Sequence, residues 1–218
     1  MPGFIGTGGG DDRGFMWRYN TQNKPASSES SSDDTSNVTS RGTLVNVAEL
    51  GGHKDTVASI DFNYDGKFML TGGYDGKVSI WECATGVLTC VLEGPDDVEW
   101  ACWHSKGNAV IAGSGDGTVW MWLTSGRTSA GEVGSGQCVQ VFAGHDGTVT
   151  SGCFTCDGKT VCSGGEDGTV RVWAPKTGIC KHTFEGHFGH TGAVTCMSQH
   201  ATDPELLLTG GTDGTMRL

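Results

Sequence analysis

One short phrase recurs five times along this chain with the same internal spacing, and that repetition limits the fold more than any other feature. It reads T-G-G-G-D-D-R-G-F-M-W at 7–17, T-G-G-Y-D-G-K-V-S-I-W at 71–81 and A-G-S-G-D-G-T-V-W-M-W at 112–122. Two more copies are S-G-G-E-D-G-T-V-R-V-W at 163–173 and T-G-G-T-D-G-T-M-R-L at 209–218. Asp11, Asp75, Asp116 and Asp167 each stand six residues before a tryptophan, Trp17, Trp81, Trp122 and Trp173, and Asp213 holds the same place in the fifth copy. From Asp75 onward the aspartates are 41, 51 and 46 residues apart, with a longer gap between Asp11 and Asp75. The 41-residue unit has room for four short strands.

Strands are predicted over Val57 to Phe62, Lys67 to Thr71, Lys77 to Trp81 and Val87 to Leu92, with tight turns at Asp65-Gly66 and Asp75-Gly76. Asp157-Gly158 and Asp167-Gly168 repeat the turns later, so each unit reads as an antiparallel meander. The count of 37 glycines against 5 prolines in 218 residues suits many short strands and tight turns better than long helices. The longer gaps read as insertions. Residues 21–42, including the serine and acid run Ser27 to Asp34, are predicted to form a disordered polar loop, and a Gly/Ser-rich insertion spans about 124–136.

The formal net charge of −11 opposes the phosphate attraction on which nucleic-acid affinity rests, so direct nucleic-acid binding is not expected and a basic protein is the natural partner. Nine cysteines with irregular spacing, and no leader-like apolar run, predict reduced thiols in the cytoplasm or the nucleus. No stretch is long and apolar enough to predict a membrane span.

The Gly-His pairs Gly52-His53 and Gly144-His145, each followed by the Gly-Asp turn and a tryptophan, and Gly186-His187, followed by the turn at Asp213, resemble the WD-repeat family. That resemblance implies an all-β propeller. Three complete units flanked by two partial ones make about five blade equivalents of the seven or eight such rings use. The segments are a partial first blade at 1–20, the loop at 21–42 and blades over 43–218 with the last one cut short. Ring closure is then in doubt, and open blade edges invite self-association. A narrower similarity is carried by Leu92 to Trp100, Trp103-His104, Gly117 to Trp122, Gly9 to Asp12 and Phe15 to Trp17. It is to the angio-associated migratory cell protein family, which includes a fungal chaperone of a large-subunit ribosomal protein.

In one blade His53, Thr71, Asp75 and Trp81 hold an imidazole, a hydroxyl and a carboxylate, as a catalytic set does; His145, Ser163, Asp167 and Trp173 form a second copy. The family implies a structural hydrogen-bond network, and the repetition argues against a single active site, so no enzyme and no cofactor are expected. In the blade between them Pro95 replaces the histidine and Ala112 the hydroxyl, which is expected to free the turn Pro95-Asp96-Asp97. Cys153-x-x-Cys156 with Cys162, and His187-x-x-His190, lack the paired spacing of a zinc site, and the glycine clusters lack a following helix, so no metal or phosphate site is expected.

Partners of such propellers bind the face carrying the turns before the first strand and between the second and third strands. Asp55, Asp96, Asp97 and Asp146 fall in those turns, Tyr74 and Glu166 precede the repeat aspartates, and Glu99 lies one strand position in. Trp100 and Trp103, read as facing opposite sides of a strand, are expected to give one core residue and one, Trp100, near the binding surface. The expected function is a non-catalytic scaffold whose acidic face holds a basic client segment. The resemblance points that client toward a ribosomal protein in ribosome assembly. A cytoskeletal, migration or signalling scaffold and a propeller hydrolase are the alternatives. Ser30-x-x-Asp33 and Ser31-x-x-Asp34 suit an acid-directed kinase.

Overall fold

The structure is a computed structural model that describes residues 3–20, 43–124 and 133–218. Ser30 and Ser31, with the rest of 21–42, lie outside the described residues, as do 125–132. Every regular element described is a strand, and the strands group into five small sheets.

The first sheet contains β1 (Gly3–Gly8), β2 (Gly14–Asn20) and β3 (Thr43–Leu50) in that order, so it is built from both sides of the 21–42 segment. The second is the meander β4 (Val57–Phe62), β5 (Phe68–Gly73), β6 (Lys77–Glu82) and β7 (Leu88–Glu93). In the third, β8 (Trp100–Trp103), β9 (Ala109–Gly113) and β10 (Thr118–Leu123) are followed in chain order by β11 (Gly134–Ser135) and β12 (Gln137–Ala143). β12 pairs with β10 and completes the sheet, whereas β11 crosses to the second sheet and pairs parallel with β7, Gly134 opposite Cys90. The end of the Gly/Ser-rich insertion is therefore a strand rather than the solvated loop its composition predicts. The fourth sheet is β13 (Val149–Phe154), β14 (Val161–Gly165), β15 (Val170–Trp173) and β16 (Cys180–Phe184). The fifth is β17 (Val194–Gln199), β18 (Leu207–Gly211) and β19 (Met216–Arg217).

The first strands β4, β8, β13 and β17 stand side by side, so the second to fifth sheets fan out from a common axis as blades. Among the described residues no strand pairing joins the first sheet to the fifth; the blades make an incomplete propeller.

The core is not one cluster but a series of seams. Met16 and Leu50 of the first blade meet Met69, Trp81 and Cys83 of the second. Leu70, Val78, Ile80 and Leu92 of the second meet Ala101, Trp103, Val110 and Trp122 of the third. Trp100, Ile111, Val119 and Phe142 of the third meet Val149, Phe154, Val161 and Trp173 of the fourth. Alternate residues of β9, Val110 and Ala112 against Ala109 and Ile111, go to opposite seams, because side chains alternate across a strand and a blade has a neighbour on each side.

This arrangement corrects the expectation for Trp100. Trp100 and Trp103 do face opposite sides, but both are buried, at 8% and 7% exposure, because the side opposite one core is the next core. The Trp100 indole lies over Gly113 of its own blade and Gly152 of the fourth, where any Cβ would collide with the ring. Backbone ties reinforce the second seam. Ser59 Oγ accepts from Ala101 N at 2.9 Å and donates to Ala101 O at 3.1 Å, while Asp61 Oδ2 accepts from Trp103 N at 2.8 Å.

Candidate protein-binding face

The lead-in turn before each first strand and the turn between second and third strands meet at one end of the fan. In the second blade they are tied by a chain of side chains. The Trp81 indole N–H donates to Thr71 Oγ1 at 3.0 Å, that hydroxyl pairs with His53 Nε2 at 2.8 Å, and His53 Nδ1 pairs with Asp75 Oδ1 at 2.9 Å. Asp75 Oδ2 also accepts the Lys54 N–H at 2.9 Å. The fourth blade repeats it: Trp173 to Ser163 at 2.8 Å, Ser163 to His145 at 2.7 Å, His145 to Asp167 at 3.1 Å, and the Asp146 N–H to Asp167 at 3.0 Å. Thr71 and Ser163 are fully buried, so neither hydroxyl can meet a substrate, and the set fixes the turns rather than doing chemistry.

The fifth blade holds a third copy that corrects the motif read at His187. There His190 pairs with Thr209 at 2.9 Å and with Asp213 at 3.1 Å, while His187 is exposed. His190 lies 23 residues before Asp213, close to the 22 that separate His53 from Asp75, and that spacing is the signal that identifies it.

Burial pushes the His145 imidazole below its ordinary 6.5, opposed by Asp167 and assisted by Arg171. For Asp75, burial raises the carboxyl, but the His53 hydrogen bond and the Lys54 N–H outweigh it and the result is below 3.8. Asp167 is lowered in the same way, burial being outweighed by the Asp146 and Thr169 N–H groups.

The third blade departs from this pattern in an unexpected manner. With proline at 95, the cross-turn tie runs the other way: Asp97 Oδ1, from the lead-in turn, accepts Ser114 Oγ at 2.9 Å and Gly115 N at 2.6 Å from the opposite turn. Trp122 Nε1, without a hydroxyl at Ala112, donates to Glu93 O at 3.3 Å. Asp97 is therefore half-buried and engaged in holding its turn, not freed for other use.

Of the other residues expected to meet a partner, Asp55, Tyr74, Asp96, Asp146 and Glu166 are exposed on this end, and Glu99 is half-buried beside them. The Tyr74 hydroxyl donates to Glu99 Oε2 at 3.2 Å, bridging the second and third blades. Burial raises the Glu99 carboxyl; the Tyr74 hydrogen bond opposes this, and the charges of Asp97 and of Glu166 from the fourth blade add to it. The Tyr74 hydroxyl is raised chiefly by Glu99, then by burial, with Asp97 and Asp55 contributing. Three blades thus bring their carboxylates within electrostatic reach of one another. Of the cations at this end, Lys77 is paired with Glu93 at 2.7 Å and Arg13 with Glu49 at 2.9 Å, Lys54 stands beside His53, Arg171 lies beside Gly144, and Arg217 donates to His187 O at 3.0 Å.

At the opposite end Lys67 pairs with Asp65 at 2.8 Å and Lys159 with Asp157 at 3.5 Å, and Lys106 is exposed. Among the described residues no group of three or more His, Cys, Asp or Glu side chains could hold a metal ion, and no helix is long and apolar enough to cross a membrane.

Seamed blades tied by His-Asp networks define a class, and the sequence profile agrees. The WD domain, G-beta repeat, matches residues 44–82, 86–122, 136–174 and 178–218, and the chain belongs to the WD40-repeat family, whose members act as protein-interaction scaffolds. Within that family it is similar to the human angio-associated migratory cell protein, at 33% identity over 207 residues, 95% of this chain and 40% of that protein. The chain thus spans 40% of the length of that relative. It is also similar to mouse WD repeat-containing protein 37, 32% identical over 59% of this chain and 25% of that one. The tobacco (Nicotiana tabacum) guanine nucleotide-binding protein subunit beta-2 is 27% identical over 80% of this chain and 47% of that one. Among solved structures, that of the computationally designed Ika4 protein superposes with a TM-score of 0.61 at 28% identity, covering 77% of this chain and 92% of that one.

Proposed function

We propose that this chain is a non-catalytic protein-binding module whose acidic face holds a Lys/Arg-rich segment of a client protein. The observation that carries the reading is the junction of Tyr74, Glu99 and Glu166, where carboxylates from neighbouring blades stand together with no cation paired to Glu99 or Glu166 among the described residues. A carboxylate held near others of its own sign gains by receiving a cationic side chain, and a face of one sign steers a basic chain into place. Asp55, Asp96 and Asp146 on the neighbouring turns extend the field around that junction.

The client that the family resemblance suggests is a newly made large-subunit ribosomal protein, whose basic segments suit such a face. The name of the human relative favours instead a migration-linked scaffold. The nine unpaired cysteines fit a reducing compartment, cytoplasm or nucleus.

The test is a fluorescence-anisotropy titration of the folded chain against a Lys/Arg-rich ribosomal-protein peptide at several salt concentrations, beside a Glu99→Lys, Glu166→Lys variant. Binding that weakens with salt and is lost on charge reversal is expected. Salt-independent binding, or full binding by the reversed variant, rules out the acidic-face mechanism. Competition by a cell-migration partner but not by the peptide favours the second client.

A further inference from the structure

Of the five repeat aspartates, Asp75, Asp167 and Asp213 share one environment, while Asp11 in the first blade and Asp116 in the third are exposed. The side chains of Asp75, Asp167 and Asp213 are 6%, 9% and 6% exposed, each held by a histidine and by a lead-in N–H, from Lys54, Asp146 and Thr191. Asp116 is exposed. Its Oδ1 caps its own turn, accepting Thr118 N at 2.9 Å and Thr118 Oγ1 at 2.6 Å, and its Oδ2 accepts no hydrogen bond among the described residues.

The cause is the reversed tie of the third blade. Its lead-in turn, from Gly94 to Val98, is one residue shorter than those from Gly52 to Val57 and from Gly144 to Val149, and it carries Pro95 where the others carry histidine. The shorter turn brings Asp97, rather than an imidazole, across to Ser114 and Gly115. Two carboxylates then serve where one serves elsewhere, and the displaced one is Asp116. Its turn stays rigid, because Ser114 N donates to Thr118 O at 3.0 Å and Gly117 N to Ser114 O at 3.3 Å.

We infer that Asp116 is a client-contact residue, presenting its outward carboxylate oxygen to a cationic side chain of the bound segment. This rests on the acidic-face reading and adds to it a position that is buried and histidine-bound in the second, fourth and fifth blades. A fixed carboxylate with an open oxygen loses little entropy when an ammonium or guanidinium binds, unlike a mobile surface acid.

Asp116→Asn tests it, since the amide oxygen keeps the cap on Thr118 while the charge is removed. Anisotropy titration with a fluorescein-labelled Lys/Arg-rich peptide reads the affinity, and thermal unfolding reads the fold. The variant is expected to bind roughly fivefold more weakly at an unchanged Tm, the size of one charge-assisted contact at a partly solvated site. Wild-type affinity in Asp116→Asn overturns this inference and leaves the acidic face standing. Failure of the folded wild-type chain to bind the peptide at all overturns both.

Discussion

At the scale of single residues, the same chemical set does different work according to what closes around it. His145, Ser163, Asp167 and Trp173 have the composition of a hydrolytic triad, but Ser163 is fully buried and spends its hydroxyl between an imidazole and an indole N–H. Removing that hydroxyl strands two buried polar groups, each worth about 1–3 kcal/mol when unsatisfied. Ser163→Ala is therefore expected to lower unfolding stability by about 2 kcal/mol or more in urea titration. A change within about 0.5 kcal/mol would show that the network contributes little, since that is the scatter of ordinary surface substitutions. The third blade shows why the substitution is not free: where Ala112 stands at that position, Trp122 has found another acceptor at Glu93 O.

At the scale of the element, the inner strands β8 and β9 of the third blade have no solvent face, because a neighbouring blade packs on each side. Trp100 occupies the position that Ser59 holds in the preceding blade, and it fills its seam by lying over two glycines, Gly113 and Gly152, instead of by bridging backbone groups. Trp100→Ala empties that space and is expected to cost roughly 3–5 kcal/mol. Below the melting transition the variant should bind a basic peptide as the wild type does. If instead peptide affinity fell while the urea midpoint stayed put, Trp100 would be a contact residue after all. The parallel pairing of β11 on β7 belongs to this scale too, since it straps the third blade's own excursion onto the edge of the second and covers part of an otherwise open strand.

At the scale of the whole molecule, the networks make stability depend on pH. His145 in the folded chain lies below its ordinary 6.5, and Asp75 and Asp167 lie below 3.8. In each case the unfolded chain binds more protons than the folded one, so their contributions are complete above the unfolded values and are lost as pH falls. Asp61, raised by burial, opposes this only within the carboxylate range. The urea midpoint is expected to be level between about pH 7 and 8, and to begin falling below that through about 6.5, the ordinary histidine value, before any carboxylate is protonated. It is expected to fall again above the ordinary thiol range, because burial pushes Cys83, Cys90, Cys153 and Cys162 up in the folded chain. A midpoint that holds level from neutrality to pH 5 would mean that His145 titrates alike in both states. The sequence alone determined the strand meander, the Asp-Gly turns and the networks at His53 and His145, because these follow from spacings of a few residues or from a repeat interval that every copy shares. Only the tertiary structure decided that both faces bearing Trp100 and Trp103 are interior, that Gly134–Ser135 joins the second sheet, and that Asp97 takes over a tie and leaves Asp116 open. Those outcomes depend on which neighbouring blade or turn closes over a residue, and on the length of one turn relative to its counterparts, so no local pattern in the chain encodes them.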